Sequence, residues 1–67
     1  MAKNYSLIGV DGNAYSIMGY VQRAMRECGC SKEEIVKYIE DATRGTYDEL
    51  LVVSADKIDE LNQTNYA

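Results

Sequence analysis

The chain has 67 residues, with seven lysines and arginines against eleven aspartates and glutamates, a formal charge of −4, and no His, Trp, Phe or Pro. A chain this short forms one domain at most and buries only about 60% of its unfolded surface, so its core is small and self-association is a natural way to bury more. Without histidine, the Ser-His-Asp and Cys-His arrangements of nucleophilic catalysis and mixed Cys/His zinc sites are excluded, and the net acidity disfavours general binding to a nucleic-acid backbone.

The expected domain spans residues 1–67, with an ordered core from about 6 to 61. Ser6-Leu7-Ile8-Gly9-Val10 reads as a short strand that ends at the turn formers Asp11-Gly12-Asn13. Gly9 inside it marks a bulge or a close backbone approach. Ala14, Ile17, Met18, Val21, Ala24, Met25 and Cys28 then recur at helical spacing and form one apolar stripe. Asn13 is a suitable N-cap and Gly29 a suitable C′ residue for that helix. Gly19 lies on its polar side.

Ser31-Lys32-Glu33-Glu34 has the form of a capping box, and Ile35, Val36, Ile39 and Ala42 make a second stripe. Arg44-Gly45 closes this helix, with Gly45 expected at C′. Thr46-Tyr47-Asp48-Glu49 is a second capping box, and Tyr47, Leu50, Leu51, Ser54 and Ala55 share one face of the helix it opens. The ending admits three readings. Ile58 and Leu61 can continue the stripe, so that the helix runs on; Leu50–Val53 can itself be a buried strand; or the helix can stop near Asp56, with residues 57–61 forming a strand beside residues 6–10. The third is preferred, because the backbone polar groups of a lone first strand need partners. The expected fold is therefore α+β, strand–helix–helix–helix–strand with a two-stranded antiparallel ribbon; the alternative is an all-α three-helix domain. Ile17, Met18, Val21, Met25, Ile35, Ile39, Leu50 and Leu51 are the expected core.

Charge is unevenly placed. Residues 1–32 carry a net +2 and residues 33–67 a net −6, a dipolar arrangement that orients a partner or a second copy. Cys28 and Cys30 are too few for a four-ligand zinc site and too close for a structural disulfide. No signal peptide precedes the first segment and no apolar run reaches a membrane span, so reduced thiols, a cytoplasmic location and no membrane contact are expected. No cofactor or metal is expected.

Two surfaces are candidates for function. All six aromatic residues are tyrosines, and tyrosine and arginine are enriched at protein interfaces. Tyr15, Tyr20, Arg23 and Arg26 on the outer side of the first helix are the expected partner-binding residues. The alternative is a small-molecule or nucleotide site at the Asp11-Gly12-Asn13 turn, where free helix N–H groups attract anions. That turn lacks a G-x-G-x-x-G or G-K-[ST] motif and carries a carboxylate. Adjacent carboxylates such as Glu33/Glu34 and Asp59/Glu60 diverge by about 100° on a helix and do not form an acid–base couple.

The motifs G-N-A-Y at Gly12–Tyr15, S-K-E-E-I at Ser31–Ile35 and R-G-T-Y-D-E-L-L at Arg44–Leu51 resemble small, mostly uncharacterised proteins of bacteriophages, prophages and mobile elements. In that family G-N-A-F opens a helix and S-G-D-Y-(D/E)-H-L-L opens the last one. Glu49 stands where the family often has His, and Tyr15 where it often has Phe. The resemblance spans about residues 7–61 and implies a milieu, not a mechanism. Taken together, these readings describe a small acidic non-enzymatic protein that binds a host or phage protein, as in the inhibition of a defence system, or a second copy of itself.

Overall fold

A computed structural model of the chain describes residues 4–64. It contains three helices, α1 (Ala14–Glu27), α2 (Lys32–Ala42) and α3 (Tyr47–Thr64). The first stripe forms as its spacing requires: Ile17, Val21, Ala24 and Met25 are buried on one side of α1. Asn13 caps it, its Oδ1 accepting the Tyr15 N–H at 2.8 Å. Gly29 ends it at φ +83°, a left-handed conformation that spares it the steric cost a β-carbon would bring. The Cys30 N–H then reaches the Met25 carbonyl at 2.9 Å and the Gly29 N–H the Arg26 carbonyl at 3.1 Å, the paired bonds of a Schellman motif.

Helix α2 opens on a complete capping box. The Glu34 N–H donates to Ser31 Oγ at 3.1 Å, and the Ser31 N–H donates to Glu34 Oε1 at 2.8 Å. Its C-terminus departs from expectation. Thr43 is the cap residue and its hydroxyl donates to the Ile39 carbonyl at 2.7 Å. Gly45 is not left-handed; its hydrogen leaves room for the Glu49 carboxylate, which a β-carbon would displace. That carboxylate completes the second box by accepting the Thr46 N–H at 3.0 Å, while the Glu49 N–H donates to Thr46 Oγ1 at 3.3 Å.

The α+β expectation is overturned: among the described residues there is no strand. Helix α3 does not stop near Asp56. Leu50, Ser54, Ile58 and Leu61 lie at i, i+4, i+8 and i+11 and are all buried, so breaking the helix would dismantle its own packing face. Residues 6–10 form a turn in which the Val10 N–H donates to the Leu7 carbonyl at 3.1 Å, with Gly9 at φ +87°. Backbone groups of this N-terminal arm are held mostly by side chains instead of a second strand. Asn62 of α3 pairs with Tyr5 twice: its Oδ1 accepts the Tyr5 N–H at 2.7 Å and its Nδ2 donates to the Tyr5 carbonyl at 2.9 Å. The Ser6 N–H donates to the Tyr20 hydroxyl at 2.9 Å, and the Ile8 N–H to Ser6 Oγ at 3.1 Å.

Both α1 and α2 pack mainly on α3 and touch each other less. The core comprises Ile17, Val21, Ala24, Met25, Tyr38, Ala42, Leu50, Ile58 and Leu61. Met18, Ile35, Ile39 and Leu51 pack at its margin and are half-buried, not fully buried as the stripes implied. The shape is thin, 34 × 27 × 15 Å, so only the centre of each stripe is covered on all sides. Tyr38 takes the volume that the aliphatic residues of α2 leave unfilled, and its hydroxyl lies 2.6 Å from Ser54 Oγ in the buried seam between α2 and α3. Each satisfies the other's polar group, which would otherwise be costly to bury.

Three variants test this arrangement. Asn62→Ala removes both bonds to the Tyr5 backbone, and amide exchange at Tyr5 is expected to quicken about tenfold or more, since each such bond contributes about 1 kcal/mol. Unchanged exchange would mean that ring packing alone holds the arm. Ser31→Ala should cost about 1 kcal/mol in urea unfolding near neutral pH. The bonds from the Ser31 N–H and hydroxyl hold the Glu34 carboxyl below its usual range. Its stabilisation is therefore present above the unfolded carboxylate pKa and lost as pH falls through the lower folded value. Glu34→Gln should flatten that acid limb; an acid limb identical to the parent's rules the box out as its source.

Candidate functional site

The outer side of α1 carries the residues selected from the sequence, and the fold divides them. Tyr15 is 81% exposed. It stands one turn before Gly19, with Arg23 and Arg26 further along the same face, and all four are exposed. Arg26 is held loosely by Gln22 at 3.5 Å. Tyr20 does not belong to this set. Its ring stands edge-on to Tyr5, with centroids 6.4 Å apart at 79°, and its hydroxyl accepts the Ser6 N–H. It fastens the N-terminal arm, and only its half-buried edge lines the shallow depression bounded by Val10, Ser16, Gly19, Arg23 and Arg26.

The other described tyrosines are committed in the same way. The Tyr5 hydroxyl donates to Glu27 Oε1 at 3.0 Å and lies 3.9 Å from Cys28 Sγ. Burial, then the hydrogen bonds with Glu27 and Cys28, push its ionisation well above the ordinary tyrosine range. Burial also raises the Tyr38 hydroxyl, against the smaller opposite effect of Ser54. The Tyr47 hydroxyl donates to the Gly12 carbonyl, tying the start of α3 to the turn before α1. Among the described tyrosines, Tyr15 is the one whose hydroxyl has no partner among the described residues. Tyr66 lies outside the described residues.

At the alternative turn, part of the polar capacity is used within the fold. Asn13 Oδ1 is used by Tyr15, the Asn13 carbonyl by the Ile17 N–H at 3.0 Å, and the Gly12 carbonyl by Tyr47. Asp11 remains exposed beside them. Its carboxylate would repel an anion approaching the helix N-terminus.

Cys28 and Cys30 are free and half-buried. Burial, followed by the nearby Glu34 carboxylate, pushes the Cys30 thiol up, the reverse of what an activated thiolate needs. Among the described residues no group of three metal-binding side chains converges, and no helix is long and apolar enough to cross a membrane. No family model, curated protein or solved structure matches the chain.

Ile8, Val36 and Tyr47, read as parts of apolar segments, are exposed, and two further exposed features escaped the sequence reading. Val52 is 60% exposed on the far side of α3 from Leu50 and Ser54. The Leu50–Val53 run hides this, because four consecutive apolar residues cannot all face one way on a helix. Gly19 was visible as a polar-side glycine, but only the fold reveals that the space above it is open, with no heavy atom within 4 Å of where a β-carbon would stand. Gly19→Ala should therefore stabilise the isolated domain by roughly 0.5–1 kcal/mol and raise Tm by several degrees. A lowered Tm in dilute solution would mean that the space is filled.

Proposed function

We propose that the chain is a small non-enzymatic interaction protein whose outer α1 face, Tyr15 with Arg23 and Arg26, binds an acidic protein surface. The observation that carries this reading is Tyr15. Every other described tyrosine hydroxyl has a structural task, whereas Tyr15 exposes 81% of its surface on a face that also presents two guanidiniums. Large rings and arginines are the usual anchors of protein interfaces. An acidic partner fits the net-positive half of an otherwise acidic chain. The motif resemblance adds the milieu: a phage or mobile-element protein acting in the cytoplasm of a bacterial host on a host or phage protein, with inhibition of a defence system as the role to examine. A nucleotide or small molecule at Asp11–Asn13 is the weaker reading, since the Tyr15 N–H, one of the donors an anion would need, is already taken by Asn13 Oδ1 and the exposed Asp11 carboxylate stands beside it.

A photo-crosslinking residue at Tyr15, expressed in bacterial cells, is expected to capture a discrete partner that the same probe at Val36, exposed on α2, does not. Tyr15→Ala combined with Arg23→Glu should abolish partner binding with an unchanged circular dichroism spectrum. Capture at Val36 instead, or a double variant that binds like the parent, would move the working surface away from α1. Thermal shift with nucleotides tests the weaker reading, because a bound ligand raises stability as RT ln(1 + [L]/Kd).

A further inference from the structure

The outer faces of α1 and α3 carry matching patterns of opposite charge. On α1, Tyr15, Gly19, Arg23 and Arg26 follow one another at i, i+4, i+8 and i+11. On α3, Asp48, Val52, Asp56 and Asp59 follow at the same intervals. All eight are exposed. These increments keep each set within a strip about 80° wide and roughly 16 Å long. The first strip is basic with an open space at Gly19; the second is acidic with a lone apolar side chain at Val52. None of the three aspartates forms an ion pair among the described residues, and neither does Arg23.

We infer that the acidic surface recognised by α1 is the α3 face of a second copy of this chain, a proposal that rests on the reading of α1 as a protein-binding surface. With the two helices side by side in parallel, Val52 of one copy enters the space above Gly19 of the other. Arg23 then faces Asp56, Arg26 faces Asp59, and the Tyr15 hydroxyl comes within reach of Asp48. A glycine at the crossing lets the helix axes approach to the short end of the usual 8–10 Å. Burial of Val52 supplies the apolar contact, and the charges select register and direction. Unless a two-fold axis brings both strips of one copy against both strips of a single neighbour, the contact repeats head to tail, closing into a ring or continuing as a chain. A standard interface covers about 800 Å² per partner, about a sixth of the 4762 Å² that this chain exposes. A single helix face is smaller than that, so association belongs at high micromolar concentration and weakens with salt as the charges are screened.

Sedimentation equilibrium of the full chain, from about 10 µM to 1 mM at low salt, reads this directly. The parent is expected to associate, whereas Arg23→Glu/Arg26→Glu and Asp56→Arg/Asp59→Arg should each weaken association at least about tenfold. Mixing the two variants restores complementary faces and should restore association. Lys32→Glu/Lys37→Glu changes net charge as much as the first variant but lies on α2, and should associate like the parent. Val52→Asp should weaken association at any salt concentration. Circular dichroism checks that each variant is folded; should a reversal unfold the chain, the glutamine and asparagine versions take its place. A parent that stays monomeric throughout, or charge variants that associate as it does, overturns the inference. A monomeric parent whose Tyr15 probe still captures another protein overturns this inference alone and leaves the α1 reading standing.

Discussion

Helix α3 has to remain one unbroken helix from Tyr47 to Thr64, because its buried stripe is the surface on which both other helices rest. Leu50 and Leu61 stand near its two ends, and between them Ile58 and the fully buried Ser54 complete the stripe. A serine at the centre of so small a core is tolerable only because Tyr38 reaches it across the α2–α3 seam. The same continuity places Asn62 beside Tyr5. A helix that ended near Asp56 would lose the Ile58 and Leu61 contacts and leave the N-terminal arm without its clamp.

The arm explains the chain's preference for tyrosine over phenylalanine. A ring of similar volume would fill the same spaces, but the segments outside the helices also need hydrogen-bond partners. Tyr20 serves the Ser6 amide, Tyr47 the Gly12 carbonyl, and Tyr5 joins the arm to Glu27 at the end of α1. Where a larger protein would pair strands, this one uses side chains that bring apolar area and one polar atom together.

Local signals were legible and long-range ones were not. Asn13, Ser31 and Thr46 cap as their neighbours require, because an N-cap, with or without its box, is complete within four residues. The α1 stripe was legible for the same reason: periodicity is a property of one segment. The end of α3 was misread because the backbone groups of residues 6–10 were assigned the partner commonest in proteins, another strand, and Asn62 gives no local sign that its amide lies beside Tyr5, 57 positions away in sequence. Gly45 was misread as a left-handed terminator, whereas Glu49, four residues on, needs the space a side chain would take. At the candidate site the exposure of Tyr15, Arg23 and Arg26 on one face of α1 was legible from the helical wheel. Tyr20 was not, since its ring belongs to a contact with an arm whose path the wheel cannot show.

The internal use of tyrosine hydroxyls also determines how the fold answers protons. With no histidine, no side chain titrates between the carboxylates and the thiols, so stability should form a plateau across the neutral range. At its alkaline edge the Cys30 thiol, also raised by burial, acts first and the tyrosines follow. Tyr5 and Tyr38 hold their protons in the folded state beyond the pH at which an unfolded chain releases them. Their contribution is complete below the ordinary tyrosine pKa and drains away as pH climbs past it towards the raised folded values. The fold's stability thus changes little with acidity near neutrality, and in strong base the charging of the rings that fasten its arm and seal its core weakens it.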